Sequence, residues 1–267
     1  MLEKKQHKYA EILLSCIEEK FFKAEAIWEY HSLMRILSGE MKIVLAGGSH
    51  TFEAGDTLLV PRNQLSTVIK QPKDGLAYKS ILVTFRPEQL KEYYTKKKIT
   101  FAQPVDQKLQ TLDKHPLLDS FFNSLIPYFD LQDELPGEIA SMKIEEAITI
   151  LRSINKNIDC LFADFSEPGK VNLVEFMEKN FMFNMPLEKF GYLTGRSIAT
   201  FNRDFRKAFH VTPQRWLTQK RLELARYQIV EKKRKPVEVY LEAGFENLSH
   251  FSNAFKKHFG RAPSDLT

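Results

Sequence analysis

The chain has 267 residues, 43% apolar and 27% charged, with a net charge of +5. That length is about twice the ~100–150 residues of one domain, and the balance excludes wholesale disorder, collagen-like and low-complexity classes. Two cysteines, Cys16 and Cys160, exclude a disulfide scaffold or a Cys-rich zinc module. No apolar run approaches the ~18–20 residues of a membrane span, and acidic residues interrupt the N-terminal apolar stretch, so it does not read as a secretory signal. A cytoplasmic protein with no membrane contact is the expectation. The charge is uneven. Residues 166–267 carry 18 Lys and Arg against 11 Asp and Glu, +7, whereas residues 1–165 sum to −2. A basic segment of this kind favours a polyanionic partner, most often nucleic acid.

Residues 3–24 read as a helix, with Tyr9, Ile12, Leu13, Cys16 and Ile17 on one face. From Ala26 to Phe85 the pattern changes to short apolar runs: Ile36-Leu37, Ile43-Val44-Leu45, Leu58-Leu59-Val60 and Ile81 to Phe85. Turn signals separate them at Ser38-Gly39, Gly47-Gly48, Gly55-Asp56 and Lys73-Asp74-Gly75. Strands at roughly ten-residue spacing point to a small antiparallel barrel or sandwich. Helices follow. Pro116 suits a first helical turn, and Leu117, Leu118, Phe121, Phe122, Leu125, Ile126 and Phe129 form a broad stripe. After a break over Asp133–Gly137, a helix over Glu138–Asn155 carries Ala140, Ile144, Ala147, Leu151, Ile154 and Ile158 at steps of four and three. That stripe suits a seam with a second copy of the chain or packing on its own barrel. Ser166-Glu167-Pro168-Gly169 marks the boundary between a domain over 1–165 and one over 166–267.

The second domain contains a repeat. Shifted by fifty, residues 186–213 fall on 236–263: Pro186 on Pro236, Phe201 on Phe251, Phe205 on Phe255, Lys207 on Lys257, Phe209 on Phe259 and Pro213 on Pro263. Each copy reads as a short helix, a turn with glycine (Gly195; Gly244) and a longer helix, the helix-turn-helix pattern. On the longer helices the phenylalanines share one face. Ala199, Arg203 and Arg206 oppose them in the first copy with Asn202 on the flank, and Ser249, Asn253 and Lys256 in the second. Small, amide and cationic side chains are what a helix needs to enter a major groove; the plain alternative is a solvated face. A helix from Pro213 to about Glu231 spans ~28 Å and could hold two recognition helices about one DNA turn apart. Lys232-Lys233-Arg234-Lys235 follows as a nuclear signal, a loop near phosphates or a solvated turn.

These residues resemble the AraC/XylS family of bacterial transcription regulators. The match runs over Val237 to Gly260 and Pro263-Ser264, with Gly244-Phe245, Ser249-His250-Phe251 and Phe255 to Gly260 as its signature. The first copy, Pro186 to Leu217 with Thr212-Pro213, departs from the family in Gly191, where alanine is usual, and His210, where glycine is usual. The first departure is expected to loosen the short helix, the second to remove the residue best suited to a left-handed helix end. Over 170–267 the resemblance implies a seven-helix domain of two motifs on a long helix. It places base-contacting slots at Ala199, Asn202 and Arg203, and at Ser249, His250 and Asn253. Arg206, Lys207, Lys256 and Lys257 become phosphate-side candidates.

In the same family the front half is a cupin-like barrel followed by dimerising helices, so the implied fold is α+β: a cupin-like β-barrel with following helices, then an all-α domain. Gly55-Asp56 to Pro61 is similar to a cupin turn and strand, but His31 and His50 stand apart and Ser66 occupies the place of a later histidine. No metal and no cofactor are expected, and no phosphate loop, nucleophile elbow or acid pair points to an enzyme. Trp28, Tyr30 and Phe52 would line a pocket or fill the core. The expected partners are double-stranded DNA and RNA polymerase. A small-molecule effector, a regulatory protein or a homodimer is left open for the front half. The competing readings are a cupin-like binding protein or enzyme with a helical appendage, and a protein-interaction module.

Overall fold

The computed structural model describes residues 6–9, 11–17, 21–97, 108–130, 136–155 and 157–266. The chain divides into two units, Met1–Ser166 and Glu167–Thr267. The first begins with strands β1 (Gln6–Tyr9), β2 (Ile12–Ile17), β3 (Phe22–Trp28), β4 (His31–Ser38), β5 (Glu40–Leu45), β6 (Gly48–Glu53), β7 (Thr57–Val60), β8 (Gln64–Gln71) and β9 (Tyr78–Phe85). After α1 (Pro87–Lys97) and β10 (Gln110–Leu112) come α2 (Pro116–Asp130), α3 (Gly137–Ile154) and α4 (Ile158–Phe162).

The strands form two antiparallel sheets, ordered β1-β2-β9-β4-β7-β10 and β3-β8-β5-β6. Gly39 lets the chain pass from β4 in one sheet to β5 in the other. Its φ is +75°, and a Cβ there would stand 2.7 Å from Tyr78 Cα, so only glycine fits without backbone movement. Period-two alternation gives the larger sheet two apolar faces. Ile17, Met34, Ile36, Leu58, Val60 and Tyr78 meet Trp28, Met41, Ile43, Phe52 and Val68 of the smaller sheet. Leu33, Leu59, Ile81, Val83 and Phe85 turn the other way, into a core shared with the four helices. Arg35 reinforces that side, donating to Asp119 at 2.8 Å with its guanidinium 5.1 Å from the Phe122 ring centroid.

Some expectations are corrected here, and others that were left open are decided. Residues 6–9 and 12–17 are strands and not one helix, and β3 already starts at Phe22. The apolar spacing of Ile12 to Ile17 fits both periods, and long-range pairing decides: β2 lies antiparallel to β9, with Ile12 opposite Val83 and Leu14 opposite Ile81. The stripe of α2 is narrower than expected, because Leu117 and Ile126 are exposed. On α3, Ala140, Ile144, Ala147 and Leu151 are buried in the unit's own core, so this stripe is already filled within the chain. Trp28 and Phe52 belong to the intersheet core, Trp28 Nε1 donating to Ser66 Oγ at 2.9 Å, while Tyr30 is half-buried. Part of the expected Asp133–Gly137 break, residues 133–135, lies outside the described residues.

His31 lies on β4 beneath Arg62. Its Nδ1 accepts the Arg62 backbone N–H at 3.2 Å, and Arg62 Nη2 donates to the carbonyls of Asp164 and Ser166 at 2.8 and 2.6 Å, anchoring the end of the unit. Burial, with the guanidinium beside it, lowers the imidazole pKa to about 3, so the ring is neutral. His50 is on β6, stacked on Phe52. Among the described residues, no three His, Cys, Asp or Glu side chains converge to hold a metal ion. No described helix is long and apolar enough to cross a membrane.

The second unit is helical: α5 (Leu173–Asn180), α6 (Leu187–Leu193), α7 (Ile198–Phe209), α8 (Pro213–Val230), α9 (Pro236–Glu242), α10 (Leu248–Phe259) and a terminal 3-10 turn over Pro263–Leu266. The helices α7 and α10 are offset by fifty residues at both ends.

Candidate nucleic-acid interface

The two long helices of the repeat are built alike. Ser197 caps α7 by accepting the Thr200 N–H at 3.3 Å, and Asn247 caps α10 by accepting that of His250 at 2.7 Å. Both end in a left-handed residue, Gly260 at φ +77° and His210 at φ +59°, so histidine takes the conformation for which glycine is better suited. Gly191 lies within α6, where a Cβ would come 3.1 Å from the Arg196 carbonyl oxygen.

Each helix buries its phenylalanine stripe. Phe201, Phe205, Phe251 and Phe255 are fully buried, and Phe209 and Phe259 partly so. Phe205 stacks on Phe209 at 4.3 Å and meets Trp216 of α8 edge-on at 5.6 Å. Phe255 packs with Phe251 and Phe259 against Leu222, Ala225 and Ile229 of the same helix. Packing one face of each helix on α8 leaves the other face to solvent. Ala199, Arg203, Arg206, Lys207, Ser249, His250, Asn253, Lys256 and Lys257 are all exposed, and Asn202 is half-buried.

Ala199, Asn202, Arg203 and Arg206 come together along one cleft, which Thr212, Pro213 and Gln214 complete. A second cleft gathers His250, Asn253 and Lys257 with Gln214, Arg215, Thr218 and Gln219. Lys207, Ser249 and Lys256 lie outside both linings. Neither lining contains an aspartate or glutamate, so a polyanion meets only neutral and cationic groups there. Arg203 is held by its neighbour: Nε and Nη2 donate to Asp204 Oδ1 at 3.2 and 3.1 Å. The other oxygen of Asp204 accepts from Arg196 at 3.2 Å, and these two arginines keep the carboxyl below the usual carboxylate range.

The α8 residues of the clefts do not stand out when α8 is read only for its apolar positions. A usable signal is present, since no acid occurs between Pro213 and Leu222 while Arg215, Lys220 and Arg221 do. Arg221 is also a junction that sequence reasoning missed. Buried, it donates to the carbonyls of Phe181 and Phe183 at 2.9 and 2.7 Å and to Asn184 Oδ1 at 3.1 Å. At Gly244, in the turn of the second motif, φ is +82°, and a Cβ would stand 2.7 Å from the Met182 carbonyl and 2.9 Å from Arg221 Nε. The second turn therefore rests on the arginine that holds the segment entering the first motif. The Lys232–Lys235 run is a turn between α8 and α9, with Lys232 over the Tyr227 ring and Arg234 donating to Glu242.

Two families match. Residues 193–267 match the one described as "Helix-turn-helix domain", and residues 31–159 the "ExsA N-terminal regulatory domain". The chain is similar to the virulence regulon transcriptional activator VirF of Yersinia enterocolitica, 26% identical over 151 residues, 56% of this chain and 55% of that protein. It is also similar to the HTH-type transcriptional regulator ExsA of Pseudomonas aeruginosa, 26% identical over 136 residues, 50% and 49% of the two chains. The aligned region spans about half the length of these relatives. A solved structure of ToxT from Vibrio cholerae aligns at a TM-score of 0.41 and 12% identity, covering 96% of this chain and 97% of that one. A helix-turn-helix domain and an ExsA-type regulatory domain lie on one chain, with relatives that are HTH-type regulators, and this agrees with the resemblance to the AraC/XylS family of transcription regulators.

Proposed function

We propose that the chain is a sequence-specific DNA-binding transcription activator that inserts α7 and α10 into successive major grooves. Residues 166–267 hold the DNA, and residues 1–165 receive the regulatory signal. The observation that carries this reading is the duplicated exposed face, polar or cationic on both helices and bordered by acid-free clefts. Asn202, Arg203, Ser249, His250 and Asn253 supply amide, guanidinium, hydroxyl and imidazole groups to base edges, and Ala199 an apolar contact to a thymine methyl. Arg206, Lys207, Lys256 and Lys257 neutralise phosphates.

Activation implies RNA polymerase as a further partner, in keeping with relatives named as activators. The front unit is matched to a regulatory domain, and its signal is a small molecule or a protein. A homodimer would form on a face other than the buried stripe of α3. Footprinting of genomic fragments by the purified chain, with and without metabolite extract, tests the proposal. Protection of two patches one helical turn apart, weakening steeply with salt, is expected. Absence of any salt-dependent protection refutes it and favours a protein-interaction module.

A further inference from the structure

We infer that the N-terminal half of α8 is a third DNA-contacting element, seated on the sugar-phosphate backbone between the two major grooves. This rests on the DNA-binding reading and extends it to residues outside the recognition helices. Three observations converge. Gln214 lines both clefts, the one beside Asn202, Arg203 and Arg206 and the one beside His250, Asn253 and Lys257. The first turn of α8 therefore lies between the two groove-facing surfaces. If α7 and α10 occupy successive major grooves, an element between them faces the phosphates that separate those grooves.

The second observation is charge. Arg215 is exposed, and among the described residues its side chain makes no ion pair; only its backbone N–H is engaged, by the Thr212 cap. No acidic side chain lines either cleft. The first acid along α8 is Glu223, which lines a different groove with Arg226 and Phe259 and ties up Gln219 at 2.9 Å. The cation-bearing, acid-free part of the helix is the part between the recognition faces.

The third is orientation. Trp216 and Leu222 are buried against the phenylalanine stripes of the first and second motifs, which leaves Gln214 and Arg215 outward. A guanidinium and an amide on a fixed helix can each donate to phosphate oxygens but reach no base edge from there, so the contact strengthens binding without reading sequence.

The test uses the full chain and the duplex that the wild-type protein enriches from a random-sequence pool. Arg215→Ala should make the dependence of log K on log salt shallower by about 0.9, the slope of one phosphate contact. It should weaken every single-base variant of the duplex by the same factor. Arg215→Lys should restore the slope, and the exposed position leaves the melting temperature of both variants at the wild-type value. An unchanged slope overturns the inference, and so does a loss confined to one base-pair position. Failure of the wild-type protein to enrich any duplex is a different result, which removes the DNA-binding reading and this inference together.

Discussion

Replacing Arg221 by methionine removes a buried cation while keeping a flexible apolar stem. Arg221 is 7% exposed and donates to two main-chain carbonyls and one side-chain amide. A hydrogen bond from a charged donor contributes about 1.5–3 kcal/mol, and a buried acceptor left unpaired costs about 1–3 kcal/mol. The bond to the Phe183 carbonyl is fully buried, whereas those to Phe181 and Asn184 are partly buried, so water can recover some of their loss. A net destabilisation of about 3–5 kcal/mol follows. For a unit of roughly a hundred residues, each kcal/mol moves the midpoint by about 4–8 °C, so a fall of at least ~12 °C is expected. Because the turn at Gly244 rests on the same side chain, both motifs should lose amide-exchange protection together. Arg221→Lys should recover only part of the loss, since an ammonium cannot serve three acceptors in a fixed fork. A thermal melt by circular dichroism decides. A methionine variant melting within ~2 °C of wild type would refute the junction, because it would mean less than ~0.5 kcal/mol rests on those bonds.

The remaining expectations concern one core residue, one base contact and one titration. Phe255→Ala leaves a cavity among Phe251, Phe259 and Leu222, and should cost about 3–5 kcal/mol by chemical denaturation; an unchanged midpoint would remove it from the core. Arg203→Ala should weaken binding by about 1–3 kcal/mol and relax preference at one base-pair position, whereas equal loss on every duplex would make it a phosphate contact. His31 has its pKa lowered from 6.5 to about 3, so the stability of its neutral form is fully present above pH 6.5 and is lost as pH falls toward 3. The loss is about 1.4 kcal/mol per pH unit, or about 2 kcal/mol between pH 6.5 and 5. Urea midpoints of wild type and His31→Gln across that range test it, and equal slopes for the two proteins would exclude His31 as the source.

The second unit was legible from its residues because its signals are local. Phenylalanines four apart and a fifty-residue offset report on helices whose hydrogen bonds close within a turn, and the structure adds matching caps at Ser197 and Asn247. The strands of the front unit carry no such local closure. Whether Ile12 to Ile17 forms a helix or a strand depends on Val83 and Ile81, some seventy residues away in the chain. Likewise the spacing of Ala140, Ile144 and Ala147 announces an apolar face but not what covers it, which is the chain's own core. Arg215 and Arg221 sit six residues apart on one helix, one exposed and the other buried, and composition does not tell them apart. The sequence alone determined the duplicated helical motif, the polar residues opposite its phenylalanine stripes and the basic bias of residues 166–267. The tertiary structure decided which apolar faces were already occupied, which arginine joins the two motifs and which lies open between them. Those outcomes depend on which distant surfaces meet, and short-range periodicity carries no information about that.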